Sequence, residues 1–171
     1  MKIYVASSWR NETLQQQVVT ALNESGHDVY DFRHPEPGND GFAWSAISEK
    51  WMNWTPSEFR EALDNPIAQA GFKLDMDALR ACDLCVLVLP CGRSAHLELG
   101  WAAGANKRTI VYAPDKIHLE PELMYLMCDS ICTTMGELDA KVFSMDAWPT
   151  TDDVVRRRLN GGSYQRVNAT R

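Results

Sequence analysis

The strongest structural signal in the sequence is the stretch "LCVLVLPCGRSAHLELGWAAG", Leu84–Gly104. Its first half is an almost uninterrupted apolar run, which is typical of a strand buried on both faces of a parallel sheet. A small polar turn follows, and then a segment with helical character in which Glu98 lies between Leu97 and Leu99. The pattern predicts a strand, a turn and a helix packed on the sheet. Glu98 is then either on a narrow polar edge of that helix or part of a functional site.

The rest of the chain continues this alternation of strands and helices, which indicates an α/β domain with right-handed crossovers. We predict a single doubly wound, mostly parallel five-stranded sheet in the flavodoxin-like order 2-1-3-4-5, with helices on both faces. In that order the winding reverses between strands 1 and 3, and ligands bind beyond their carboxyl ends. Those ends are "SSWR" and "PCGRS". The other four strands are predicted in "KIYVA" (2–6), "HDVYDF" (27–32), "RTIVYA" (108–113) and "SICTT" (130–134).

A long aromatic segment interrupts the alternation. We predict one domain over residues 1–145 with this insert at about 34–64, followed by a tail at 146–171 that includes the basic run Arg156–Arg158. The insert is too long for an ordinary connection, so we expect a functional loop or cap. Within it, Thr55–Glu58 has the form of a capping box with proline at the first helical position, which predicts a helix start.

Composition limits the function classes. The formal net charge of -6 argues against binding to a nucleic-acid polymer, which needs a basic face. The start of the chain does not have the pattern of a secretory signal, and no apolar run reaches membrane-spanning length, so we expect a cytoplasmic protein with no membrane partner. Five cysteines, an odd number, indicate reduced thiols. Four of them are expected to pack as small hydrophobic residues: Cys82, Cys85, Cys128 and Cys132.

Two carboxylates are candidates for chemistry at the predicted cleft. Glu98 comes about one turn into its helix, and with Ser94 as cap the helix dipole favours an ionised carboxylate that can act as nucleophile or base. Asp75, on the helix before strand 3, can serve as its partner acid or base. The alternatives are structural: Glu98 bound to local amides, and Asp75 among ordinary surface pairs with its helical neighbours Lys73, Asp77 and Arg80.

Four segments resemble the nucleoside 2-deoxyribosyltransferases and related nucleotide N-glycosidases. They are "IYVASSW" (3–9), "LDMDALRACDLCVLVLP" (74–90), "HLELGWAAG" (96–104) and "PELMY" (121–125), within a similarity that covers roughly residues 2–145. The resemblance implies that Glu98 is the nucleophile, and that Asp75, eight residues before Asp83, assists the departing base. Attack at C1' would give a covalent glycosyl enzyme that water or a second base resolves, as in retaining glycosidases.

The same resemblance gives expectations about the substrate. Ser8 and Arg10 match positions that hold a 5'-phosphate in the monophosphate-hydrolysing branch, and Trp9 matches an aromatic position of the transferases. His96 is similar to a histidine of cytidylate hydrolases, although it can equally be a helix-surface residue. The transferases have an aspartate six residues before the nucleophile, where this chain has Gly92. That difference weakens a free-nucleoside substrate and leaves room for phosphate at Gly92, Arg93 and Ser94.

Two further segments keep alternative interpretations. "PELMY" is similar to a segment that neighbouring subunits insert into one another's sites, which implies a homodimer or higher homo-oligomer with Glu122 and Met124 at the interface. The alternative is a local helix cap with a core methionine. The aromatic residues of the insert either stack on a base or form a satellite core or subunit contact: Phe42, Trp44, Trp51 and Trp54.

The sequence therefore predicts an N-glycosidase or 2-deoxyribosyltransferase for a small nucleoside or nucleotide, with no metal or organic cofactor implied. Two alternatives stay open. One is a non-catalytic nucleotide-binding or sensing module, and the other is a glycosidase for another N-ribosyl compound, such as a nicotinamide nucleotide.

Overall fold

A computed structural model of the chain describes residues 1–114 and 120–146. Its centre is a five-stranded, all-parallel sheet in the order β2-β1-β3-β4-β5. The predicted fold class and strand order are confirmed. The strands are β1 (Lys2–Ala6), β2 (Asp28–Asp31), β3 (Leu84–Val88), β4 (Arg108–Tyr112) and β5 (Ser130–Cys132).

The described residues also form five α-helices, of which four lie between strands and the last follows β5. They are α1 (Glu12–Glu24), α2 (Pro56–Ala62), α3 (Pro66–Ala81), α4 (Arg93–Gly104) and α5 (Met135–Asp146). Short 3-10 turns form at Trp44–Ala46, Trp51–Asn53 and Leu123–Met127. The last of these turns begins within the segment "PELMY" (121–125).

The core forms two layers because side chains alternate between the two faces of each strand. On one face, Ile3 and Val5 of β1 pack with buried residues of α1 and α5. On the other face, Tyr4 packs with buried residues of α3 and α4, including Leu79 and Leu99. All five residues of β3 are buried, which explains the uninterrupted apolar run. The four cysteines expected in the core are buried free thiols.

Local signals explain where three helices begin. Thr55 and Glu58 form the predicted capping box ahead of α2, with Pro56 at its first position. Asn65 caps α3 by accepting a hydrogen bond from the Ile67 N–H at 2.9 Å. The expectation that Ser94 caps α4 is wrong. That helix begins at Arg93, with Gly92 as its cap residue and no side-chain cap, so the small polar turn enters the helix two residues earlier than expected.

The aromatic insert builds a small cluster of its own. The Trp44 ring makes edge contacts with the rings of Phe42, Trp54 and Phe59, at centroid distances of 4.8, 5.7 and 5.7 Å. Such edge-to-face geometry is favourable for aromatic pairs. A satellite core is therefore the arrangement found for Trp44 and Trp54, while Phe42 also packs on α3 at Gly71.

No helix in ranges 1–114 and 120–146 is both long and apolar enough to cross a membrane. The predicted tail lies, beyond residue 146, outside the described residues.

Candidate active site

The carboxyl ends of β1 and β3 lie side by side, as the strand order requires, and a hydrogen bond joins them. The Ser7 hydroxyl donates to the Val88 carbonyl oxygen at 2.9 Å, and the Asn11 side chain donates to Ser7 Oγ at 3.2 Å. The turn after β1 is thus fixed to the end of β3. Since the winding of the sheet reverses between these two strands, their carboxyl ends form the expected ligand cleft.

Glu98 lies on the first half of α4 and is half-buried, between the buried Leu99 and the exposed Leu97. Burial is the main effect that raises the pKa of Glu98, and the charge of Asp75 adds to it, so that the pKa is about 7. The nearby Tyr4 hydroxyl acts in the opposite direction and lowers this pKa. The position near a helix amino end predicted a stabilised ionised carboxylate. Desolvation and a like charge outweigh that dipole effect, so the net shift has the opposite sign.

Asp75 lies on α3 and accepts a hydrogen bond from the Tyr30 hydroxyl at 2.9 Å. Burial raises the pKa of Asp75, and the Tyr30 hydrogen bond acts against this rise. Its helical neighbours Lys73 and Arg80 pair with Asp77 instead. The surface-pair alternative therefore describes Asp77, while Asp75 faces the protein interior.

Two tyrosines that sequence reasoning missed lie beside the carboxylates. Tyr4 and Tyr30 are partners in the β1–β2 register, and their rings stack at 5.2 Å. The Tyr4 hydroxyl is buried without a hydrogen-bond partner among the described residues. Burial raises the pKa of both tyrosines far above 10, with Glu98 the next contributor for Tyr4 and Asp75 for Tyr30. Both hydroxyls therefore stay protonated and present O–H groups to the two carboxylates.

The turn after β1 carries three predicted ligand-binding residues. Ser8 Oγ accepts a hydrogen bond from the Arg10 N–H at 3.2 Å. The Trp9 side chain is 47% exposed and makes an edge contact with Phe32 at 5.2 Å. The Arg10 side chain is exposed. Arg33, to which the sequence analysis gave no role, packs its guanidinium carbon 4.8 Å from the Trp9 ring centroid.

A cavity of about 260 Å³ opens between the end of β2, the insert and α3. Its walls are mostly apolar and include the rings of Phe32 and Phe42. Polar side-chain groups come from Asn39, Tyr30 and Asp75. One of the two candidate catalytic carboxylates thus lies on the wall of a space with aromatic sides.

The remaining predicted residues of this region lie on the first turn of α4. Arg93 and Ser94 are exposed. His96 Nδ1 is 3.0 Å from the Gly92 carbonyl oxygen, and its Nε2 is 2.9 Å from the Tyr125 hydroxyl. Because a carbonyl oxygen only accepts, Nδ1 carries the hydrogen, and in the neutral ring Nε2 accepts from Tyr125. Both ring nitrogens of His96 are therefore occupied within the chain.

The predicted interface segment forms the 3-10 turn at Leu123–Met127. Glu122 Oε1 accepts a hydrogen bond from the Met124 N–H at 2.9 Å, so Glu122 is a local cap. Met124 is 55% exposed, which excludes the expected alternative of a core methionine.

No protein-family model matches the sequence, and no curated protein matches it. Among solved structures, the fold is similar to a CMP N-glycosidase of Clostridium botulinum, BcmB. The similarity covers 83% of this chain and 98% of that chain, at 18% identity and a TM-score of 0.46. A likeness at this level carries no argument about the site or the reaction.

Proposed function

We propose that this chain cleaves the N-glycosidic bond of a nucleoside or nucleoside 5'-monophosphate. The observation that carries the proposal is the coupling of Glu98 and Asp75 at the carboxyl-end cleft, where burial and the Asp75 charge raise the Glu98 pKa to about 7. Perturbed carboxyl pairs in a cleft are typical of acid and nucleophile assignments in glycoside cleavage.

In the proposed reaction, a carboxylate oxygen of Glu98 attacks C1' of the sugar. The C1'–N bond breaks, its electron pair leaves with the base nitrogen, and Asp75 supplies the proton that neutralises the departing base. A water molecule then attacks C1' of the glycosyl ester, gives its proton to Asp75 and releases Glu98. A second base that attacks in place of water would complete a transfer instead of a hydrolysis.

The pair can start this reaction only when it holds one proton, with Glu98 charged and Asp75 protonated. Two carboxyl groups that interact this closely titrate as a unit, so the singly protonated pair is populated below the upper pKa, which is about 7. The Tyr30 hydroxyl, which donates to Asp75 at 2.9 Å, orients that carboxyl group without taking its proton.

The cavity beside Asp75 has a size and lining that suit a planar leaving group. At about 260 Å³ it is close to the lower end of small-molecule sites and suits one ring system. The Phe32 and Phe42 rings can contact the faces or edges of a base, with Asp75 on the same wall. The sugar would lie toward Glu98, and the 5'-phosphate would lie toward Ser8, Arg10 and the first turn of α4.

The test is release of free base, followed by chromatography, from ribo- and deoxyribonucleosides and their 5'-monophosphates, with and without a second base. We expect Glu98→Ala to lower turnover at least about a thousandfold, because it removes the nucleophile. Asp75→Asn should lower it about a hundredfold or more, because the amide has no acidic proton to transfer. Asp77→Asn is the matched control, since Asp77 is exposed on the same helix and pairs with Lys73 and Arg80.

Undiminished turnover in Glu98→Ala would remove Glu98 from the mechanism. No base release from any compound, together with measurable binding of a nucleotide, would support the non-catalytic nucleotide-binding alternative. A new nucleoside formed only in the presence of the second base would assign a transferase.

We also propose that the chain is a homodimer or higher homo-oligomer. Support comes from apolar side chains one turn apart on α4, where Leu97 is 75% exposed and Trp101 is 37% exposed. The 3-10 turn at Leu123–Met127 adds the exposed Leu123 and Met124. Large apolar side chains exposed close to one another are typical of surfaces that contact another protein chain.

A further inference from the structure

Asn39 is a cavity residue that the proposed reaction does not use. It is half-buried in the turn at 36–41, which follows β2, and it lines the same cavity as Tyr30 and Asp75. Its backbone N–H donates to the Glu36 carbonyl oxygen at 3.0 Å, and the two residues form an isolated antiparallel bridge. The backbone of Asn39 is therefore held at the cavity wall by its own turn.

The side-chain amide of Asn39 has one engaged end and one free end. Its Oδ1 accepts a hydrogen bond from the Gly41 N–H at 3.0 Å. A backbone N–H only donates, so the oxygen of the amide faces Gly41, and a rotation of the amide by half a turn would set two donors against each other. Among the described residues, the Nδ2 group has no hydrogen-bond partner. The free end of this side chain is therefore a donor.

Close packing holds the Gly41 backbone that engages the other end. Gly41 has a φ of 77°, in the left-handed region that favours glycine. A Cβ at this position would lie 2.9 Å from a Trp9 ring carbon and closer still to the Phe32 carbonyl oxygen. The Gly41 backbone thus packs directly on both residues, and its N–H keeps the Asn39 amide in one orientation.

A fixed donor distinguishes two kinds of nucleobase. At the edge away from the sugar, 6-oxopurines and 4-oxopyrimidines carry an oxygen that accepts, whereas the 6-amino and 4-amino bases carry a nitrogen that donates. An Nδ2 group has only hydrogens to offer, so it pairs with the oxo group and opposes the amino group. Two donors that face each other in a half-buried site both lose a hydrogen bond, which makes such a site selective.

We propose that Asn39 is a specificity-determining residue that selects a base with an oxo group over its amino counterpart. Asp75 lies at the end of the base that is bonded to C1', because it protonates the departing base, and Asn39 on its separate turn meets the opposite edge. The role of the base as leaving group rests on the proposed function. The preference for an oxo group rests on the free Nδ2 group of Asn39.

The experiment measures binding of free bases by calorimetry, in two pairs that differ at this edge: hypoxanthine with adenine, and uracil with cytosine. Wild type should bind the oxo member of at least one pair about tenfold tighter. Asn39→Asp should reverse that preference, because the carboxylate still accepts from the Gly41 N–H but replaces Nδ2 with a second acceptor. Asn53→Asp makes the same change at an exposed position of the insert and should keep the wild-type preference.

Turnover gives a second readout of the same preference. The ratio of kcat/KM for the oxo and amino nucleosides of one pair cancels any effect that the added charge has on the chemical step. We expect Asn39→Asp to shift this ratio toward the amino substrate at least about tenfold, and Asn53→Asp to leave it within about twofold. A merely structural role for Asn39 would lower turnover of both substrates equally.

Tighter binding of the amino bases by wild type would overturn the proposal. So would a preference that is the same in wild type and Asn39→Asp, or binding of none of the four bases. If Asn39→Asp does not fold, the side-chain amide resonances of Asn39 in wild type supply the test. They should shift downfield when the preferred oxo base is added, and unchanged resonances contradict the contact.

These measurements separate the two proposals. A preference for oxo bases that depends on Asn39, without base release from any nucleoside or nucleotide, would contradict the glycosidase function and leave the role of Asn39 standing. Base release at the same kcat/KM from the oxo and amino members of a pair would do the reverse.

Discussion

At the residue scale, the surroundings of Glu98 disfavour the charged form of its carboxyl group. Burial and the Asp75 carboxylate raise its pKa from 4.5 to about 7. The folded chain therefore holds a proton that the unfolded chain releases between these two pH values. Stability linked to this group is complete below about pH 4.5 and falls as pH rises to about 7.

Glu98→Gln should remove this pH dependence, because glutamine has no charge to bury. We expect the variant to be more stable than wild type at pH 8, by on the order of 3 kcal/mol, and equally stable near pH 4. Thermal or urea unfolding at both pH values measures the difference. Glu24→Gln, at an exposed position on α1, is the control and should change stability little at either pH. A Glu98→Gln variant less stable at pH 8 would show that Glu98 is held by favourable contacts instead.

The two candidate carboxylates could be singled out from sequence: Glu98 by its place after an apolar strand, and Asp75 by its position on the preceding helix and the family resemblance. Their catalytic roles stay predictions. Tyr4 and Tyr30 could not be singled out, since their proximity depends on the parallel register that pairs them across β1 and β2. Arg33 was also missed. Nothing local distinguishes it from a loop arginine, and its hydrogen-bond partners Ser8 and Trp9 lie 25 and 24 residues away in the chain.

At the element scale, the aromatic insert is positioned by a glycine of α3. A Cβ at Gly71 would lie 2.9 Å from the Phe42 Cβ, closer than such atoms pack. Phe42 lines the cavity with Asp75, so the absence of a side chain at Gly71 lets the insert form one wall of that cavity. The sequence predicted a functional loop or cap here from its length, but the docking point required the packed structure.

Gly71→Ala should move Phe42 away from α3 and alter the cavity. We expect KM to rise severalfold with a small change in kcat, because the carboxylates remain in place while the wall that contacts the base is displaced. Steady-state kinetics on the best substrate of the panel would measure the change. Gly136→Ala on α5 is the matched control, since no neighbouring atom lies within 4 Å of a Cβ there. It should add up to about 1 kcal/mol of stability and leave KM unchanged. A Gly71→Ala variant with wild-type KM would show that the insert does not contribute to substrate binding.

The first residues of the helices show where local sequence signals are enough to predict a helix start. Thr55 and Pro56 carry a complete capping box, and α2 begins there. The start of α4 has several small polar residues in succession, so local chemistry did not distinguish Ser94 from Gly92 as the cap. The backbone path after β3 places Gly92 at the cap position.

At the scale of the whole molecule, the order of the strands was accessible from the alternation of strands and helices. Right-handed crossovers and a single reversal of winding leave few arrangements, and the order 2-1-3-4-5 is the one found. The position of the cleft follows from that order. The shape of the cavity does not, because it depends on how residues between β2 and α3 pack on the finished sheet.

The proposed self-association can be tested at the scale of the whole molecule. A charge placed on the exposed face of α4, as in Leu97→Glu, should shift the protein from an oligomer to a monomer in sedimentation velocity. The matched control is Phe143→Glu on α5, where Phe143 is 77% exposed on the other face of the sheet. A monomeric wild type, or equal dissociation by both variants, would contradict an interface at α4. If Met124 completes the site of a second copy, the Leu97→Glu monomer should also lose turnover.

Cys91, in the turn between β3 and α4, gives the protein a built-in chemical reporter. Burial and the charge of Glu98 raise the Cys91 pKa to about 12, and its sulfur lies 3.4 Å from His96 Nδ1. Alkylating reagents attack the thiolate, whose population falls when a nearby carboxylate is charged. The other four thiols are buried in the folded chain. The rate of Cys91 alkylation therefore reports the charge on Glu98, the proposed nucleophile. It can be measured before any substrate is known.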